Sequence, residues 1–169
     1  GGDGFYSFRH PTDKNIIYSE SQGGNIVRYD MSDGQRKDIK PLPNDGDPDY
    51  RFNWNAPMHI SPNNPERLYF GAQFLFKTET RGDDWTKISP DLTTNDPQRQ
   101  RQKKSGGLSI DNSTAENNTT IYAIGESPLD EKIIWVGTDD GHVQVTSNGG
   151  TSWENVSKNI PNLPKGLWV

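Results

Sequence analysis

The chain has 169 residues, a net charge of -5 and no cysteine, which excludes disulfide and thiolate chemistry and leaves no basic footprint for nucleic acid. Leu, Ile, Val and Phe make up only about 19% of it, close to the level of disordered chains. The apolar residues nevertheless fall in short alternating runs with aromatics, punctuated by 17 Gly and 12 Pro, which is the pattern of an all-β protein. No apolar run approaches the ~18 residues of a membrane span. The basic cluster Arg99 to Lys104 lies in a polar stretch without interleaved aromatics and reads as a solvated loop.

Taken in order, three segments repeat one pattern around Pro11, Pro62 and Pro128, anchors 51 and 66 residues apart. A period near 50 signals a propeller or solenoid array. Each unit divides into four strands, the arrangement of a propeller blade. The first strands are expected at Phe5 to Arg9, Phe52 to Ile60 and Thr120 to Glu126, the second at Ile16 to Ser19, Arg67 to Gly71 and Ile133 to Gly137. The third are expected at Ile26 to Tyr29, Phe74 to Thr78 and His142 to Thr146, and the outer ones at Arg36 to Lys40, Trp85 to Ser89 and Trp153 to Ser157. The blades then run over about 4–43, 50–93 and 119–161, with a polar insertion at about 90–118 and the first strand of a further blade at 166–169. Because a propeller needs at least four blades to close, the remaining blades are expected in the same or a larger chain.

The stretch Thr146-x-Asn148-x-Gly150-x-x-Trp153 resembles an Asp-box, the Ser/Thr-x-Asp-x-Gly-x-x-Trp hairpin of BNR-repeat propellers. Thr78-x-Thr80-x-Gly82-x-x-Trp85 is a degenerate copy, and Tyr29 to Gly34 matches only loosely and lacks the Trp. The phrase Trp135 to Gly141 is similar to BNR-like propellers of the sortilin N-terminal (VPS10-like) and family 74 xyloglucanase type, above all to large secreted bacterial members. The resemblance implies a larger, seven-bladed ring in a secreted, periplasmic or cell-surface protein. The motif also has a local rationale. The Asn148 side chain accepts from nearby backbone N–H groups, Gly150 takes a positive φ, and Trp153 packs between blades. That makes it a structural clasp.

Strand order A-B-C-D places the pre-A segments and B-to-C turns on one face, where loops from several blades converge and ligands usually sit. Arg51, Asn53, Trp54 and Asn55 interleave hydrogen-bonding groups with an aromatic there, joined by Gln73, Asp139 and Asp140, a set suited to a glycan or protein ligand. Asp3, Glu116 and Asp139 are carboxylates that could pair across blades as in a glycosidase. Asp139-Asp140-Gly141 reads equally as an ordinary hairpin turn. No family catalytic motif matches residue by residue. Asp45, Asp47 and Asp49 are spaced like a Ca²⁺ loop but lack its Gly and bidentate Glu, and His10, His59 and His142 have no metal-ligand spacing. No metal or cofactor is expected. Two functions follow: a non-catalytic binding module, or part of a glycoside hydrolase.

Overall fold

The computed structural model describes residues 2–101, 104, 117–163 and 166–169. They form three four-stranded antiparallel sheets, each in simple sequential order. The first contains β1 (Gly4–Arg9), β2 (Ile16–Ser21), β3 (Asn25–Asp30) and β4 (Gln35–Asp38). The second contains β5 (Met58–Ile60), β6 (Leu68–Gly71), β7 (Leu75–Thr78) and β8 (Thr86–Lys87), and the third β9 (Ile121–Glu126), β10 (Ile134–Thr138), β11 (Val143–Thr146) and β12 (Glu154–Asn155). These are three consecutive propeller blades. Among the described residues no helix is long and apolar enough to cross a membrane.

The prolines mark the same turn three times. His10, Ser61 and Ser127 each donate a backbone N–H to the residue at or just before the start of the next strand, Ile16, Arg67 and Ile133. Each also accepts, through its side chain, backbone N–H groups that follow the proline: His10 from Thr12 and Asp13, Ser61 from Asn63 and Asn64, Ser127 from Leu129. The outer ends repeat as well. Ile39, Ile88 and Val156 donate to Ile26, Leu75 and Val143, and the Ser89 and Ser157 hydroxyls accept the Leu75 and Val143 N–H groups. Side chains thus replace ladder bonds beyond β8 and β12, which is why the outer strands are shorter than their alternation suggests.

The expected strand Phe52 to Ile60 is corrected: only Met58–Ile60 is strand. The Asn53 side-chain oxygen accepts the Asn55 N–H at 3.0 Å, closing an Asx turn, and Pro57 has no N–H to give a ladder.

The cores are the two seams between blades. Ile16, Tyr18, Ile26 and Ile39 meet Phe52, Met58, Leu68, Phe70 and Phe76 in the first, and Tyr69, Leu75 and Leu92 meet Ile121, Ile134 and Val136 in the second. The middle blade is therefore covered on both faces, and β6 is buried at every residue, whereas β2 alternates. A continuous apolar run is what double coverage demands of a strand.

The two Thr-to-Trp hairpins clasp these seams. Thr78 Oγ1 accepts the N–H groups of Thr80 and Gly82, and Thr146 Oγ1 those of Asn148 and Gly150. Trp85 Nε1 then donates to Ile39 O of the preceding blade at 2.7 Å, and Trp153 Nε1 to Ile88 O at 3.0 Å. The glycines let the blades approach: Gly150 has φ +98°, and an added Cβ would lie 2.6 Å from Ile88 O. Gly150→Ala is expected to cost about 2 kcal/mol from strain and displacement of Ile88, read as a lowered denaturation midpoint. An unchanged midpoint would show that the hairpin does not hold the seam.

Candidate functional site

The face formed by B-to-C turns and pre-A segments is built on a second threefold repeat. Gln22, Gln73 and Asp139 occupy equivalent positions just past β2, β6 and β10. Each accepts a backbone N–H from the pre-A segment of its own blade: Gln22 Oε1 from Asp3 at 3.4 Å, Gln73 Oε1 from Arg51 at 2.7 Å, Asp139 Oδ1 from Thr120 at 2.9 Å. Asp139 Oδ2 also accepts from Thr120 Oγ1 at 2.5 Å and from Asn53 Nδ2 of the neighbouring blade at 3.0 Å. Asp139 is 0% exposed. Burial pushes its carboxyl above the usual aspartate range, against the hydrogen bonds from Thr120 and Asn53, and the Asp140 carboxylate pushes the same way.

Asp140 is tied down in the same manner. Its Oδ2 accepts from Thr94 N at 2.8 Å and Thr94 Oγ1 at 2.6 Å, and its Oδ1 from Thr138 Oγ1 at 2.5 Å. Arg51 reaches Asp91 Oδ2 at 2.7 Å and donates through Nε to Thr119 O at 3.3 Å. Asn53, Gln73, Asp139 and Asp140 are four of the residues expected at the ligand-binding face. All four are buried, and their hydrogen-bonding atoms are directed at one another and at main chain within and between blades. Their chemistry is that of turn-to-blade clasps, with a carboxylate in the third blade where the first two use an amide.

The three carboxyl candidates have different surroundings. Asp3 is exposed in the first blade, Asp139 is enclosed and saturated, and Glu116 lies outside the described residues. The acidic 45–49 loop is exposed. Among the described residues no group of three or more His, Asp or Glu is arranged to hold a metal ion.

What remains open on this face is aromatic. Trp54 is partly exposed, meets Phe5 edge-to-face at 5.3 Å, and donates Nε1 to Gln22 Oε1 at 3.3 Å. Phe5, Tyr6 and Asn55 line a recess of about 350 Å³, and the Asn55 side-chain oxygen has no hydrogen-bond partner. On the third blade Tyr122 packs against Trp168 at 4.6 Å. Trp54 and Asn55 were legible as candidates. Phe5 and Tyr6 were not, because a β-bulge turns them: between Gly4↔Ser21 and Ser7↔Ser19 the ladder sets Phe5 and Tyr6 against Glu20 alone. Wider hollows lie at Lys37, Lys40, Tyr50 and Trp85 (about 430 Å³) and at Arg99, Asp140, His142 and Lys158 (about 550 Å³).

The fold and this open face define a β-propeller segment, and the comparisons agree. No family model matches the chain. An oligoxyloglucan-reducing end-specific xyloglucanase of Emericella nidulans is 24% identical over 148 residues, which are 88% of this chain and 17% of that protein. Among solved structures, the GH74 xyloglucanase from Xanthomonas campestris superposes with a TM-score of 0.56 at 18% identity, over 93% of this chain and 21% of that one. The Niastella koreensis GH74 enzyme gives 0.55 at 17%, over 91% and 22%. YCF48 bound to D1 peptide gives 0.54 at 10%, over 97% and 43%. At these identities the likeness is one of fold, and the chain spans about a fifth of the length of the xyloglucanases.

Proposed function

We propose that these blades form part of an extracytoplasmic propeller that binds a glycan at the Phe5–Tyr6–Trp54–Asn55 mouth. The observation that carries this is the group of partly exposed aromatic rings around the recess, with the unpaired, buried Asn55 oxygen at its lining, since aromatic faces take the apolar face of a sugar while amides take its hydroxyls. The likeness to two xyloglucanases supports the ligand class, and a secreted, periplasmic or cell-surface location belongs to the same reading. The Thr-to-Trp hairpins are Asp-boxes in this reading, and the sortilin-like relationship rests on them. Further blades complete the ring. Val169 N donates to Thr138 O at 3.1 Å, as Ile121 N of the third blade donates to Ala72 O of the second.

Titration calorimetry with neutral xyloglucan oligosaccharides tests the proposal. Trp54→Ala is expected to weaken binding about tenfold, the loss of one stacking contact of about 1.4 kcal/mol, with little change in melting temperature. Binding of peptides but not of oligosaccharides would reject it.

The second reading, part of a glycoside hydrolase, is favoured by the likeness to two xyloglucanases and a further GH74 enzyme. It predicts reducing-sugar release from xyloglucan by the protein and its loss in Asp3→Asn. Hydrolysis untouched by that variant would remove Asp3 from the chemistry.

A further inference from the structure

The turn between β2 and β3 of the first blade grips one residue of the second blade twice. Gly23 N donates to Trp54 O at 3.0 Å, and the Trp54 indole Nε1 donates to Gln22 Oε1 at 3.3 Å. Adjacent residues of one turn thus hold both the main chain and the ring of Trp54. The turn is itself held. Gln22 N donates to Asp3 O at 3.0 Å, and Asn25 Nδ2 donates to Gln22 O at 2.9 Å. Gly24 has φ +75°, and an added Cβ there would lie 2.5 Å from the Phe52 ring, so the turn lies directly on the segment that leads to Trp54.

Gln22, Gln73 and Asp139 hold equivalent positions, but their side chains are used differently. Gln73 is buried and stays within its own blade: Oε1 accepts from Arg51 N, and Nε2 donates to Asp49 O at 3.3 Å. Asp139 is buried and takes the Asn53 amide of the preceding blade. Gln22 is half-buried, and its oxygen serves both Asp3 N of its own blade and the indole of the next. On its other side that indole meets Phe5, a residue of the recess, edge-to-face. A hydrogen bond at Nε1 and a packed ring therefore set the orientation of Trp54 together.

We propose that Gln22 is a positioning residue of this face, which fixes the Trp54 indole as a platform for a neutral sugar without touching the sugar. This rests on the glycan-binding reading. An indole whose N–H is already committed offers a ligand only its ring faces, so recognition at Trp54 is by stacking. A ring fixed before binding also has less rotamer freedom to lose when the sugar arrives.

The test is calorimetry with a neutral xyloglucan oligosaccharide on the native protein, Gln22→Leu, Gln22→Glu, Trp54→Ala and the Gln22→Leu, Trp54→Ala double variant. It is paired with indole ¹H–¹⁵N spectra of the free proteins, in which Trp54→Ala identifies the Trp54 signal. Gln22→Leu removes the acceptor and is expected to weaken binding about fivefold, the worth of one hydrogen bond. Gln22→Glu keeps an acceptor oxygen and should bind within about twofold of native protein. The double variant should be no weaker than Trp54→Ala, about tenfold below native, because Gln22 acts only through that ring; independent losses would multiply to about fiftyfold. The Trp54 indole signal should shift and exchange faster with water in Gln22→Leu, and stay in place in Gln22→Glu. A purely structural role would lower the melting temperature of Gln22→Leu and leave its affinity and indole signal native. That result, or losses that multiply in the double variant, overturns the inference and leaves the glycan reading standing. If native protein binds no neutral oligosaccharide, both fall.

Discussion

Glu20→Gln is expected to make the protein more stable at pH 8, by on the order of 3 kcal/mol, and to leave it unchanged near pH 4. The folded carboxyl titrates at about 7 and the unfolded one near 4.5, so between those values the folded state holds more protons than the unfolded. Stability then falls as pH rises from 4.5 to 7 and is flat above, and the drop for a shift of this size is about 3 kcal/mol at 1.36 per unit. Glutamine keeps the shape and cannot ionise, so its curve lacks the drop. Urea midpoints of both proteins at pH 4, 6 and 8 measure it. Parallel curves would mean that the carboxyl is solvated or paired in solution.

Asp139→Ala should have an effect of comparable size and opposite sign, destabilising by about 3 kcal/mol. The substitution leaves the Thr120 N–H and hydroxyl without their acceptor inside a closed seam and takes one of two acceptors from the Asn53 amide, and each orphaned buried donor costs about 1–3 kcal/mol, incompletely additive. Asp139→Asn retains one acceptor oxygen and should cost about 1 kcal/mol. The ordering distinguishes a clasp from a catalytic acid. A clasp gives Ala well below Asn in denaturation midpoint. A catalytic carboxylate would give two variants equally inactive in polysaccharide hydrolysis and both close to native stability.

The strands and their turns were legible because they obey local rules. Ile16 to Ser21 alternates with the pleat, the residues before Pro11, Pro62 and Pro128 announce the same turn three times, and Thr146 to Trp153 carries its own hydrogen bonds. Even Leu68–Gly71, which does not alternate, is marked as a strand by its length and flanking turns. Local rules failed where a neighbouring blade decides. Asp139-Asp140-Gly141 has the letters of an exposed hairpin turn, and nothing in them says that Asn53 and Thr94 will close over both carboxylates. Phe52 to Pro57 has apolar residues enough for a strand, yet an Asx turn and a proline remove it from the ladder.

The sequence by itself determined three antiparallel blades, their anchors and the hairpins that clasp them, because period, turn chemistry and short-range hydrogen bonds are properties of contiguous residues. Only the tertiary structure decided which polar groups on the open face are already satisfied and which are not. That depends on partners far away along the chain, such as Asn53 for Asp139, and on a bulge that sets Phe5 and Tyr6 opposite Glu20. Burial and pairing are relations between segments, so the candidate site moved from Asp139 and Asp140 to the recess lined by Phe5, Tyr6 and Asn55.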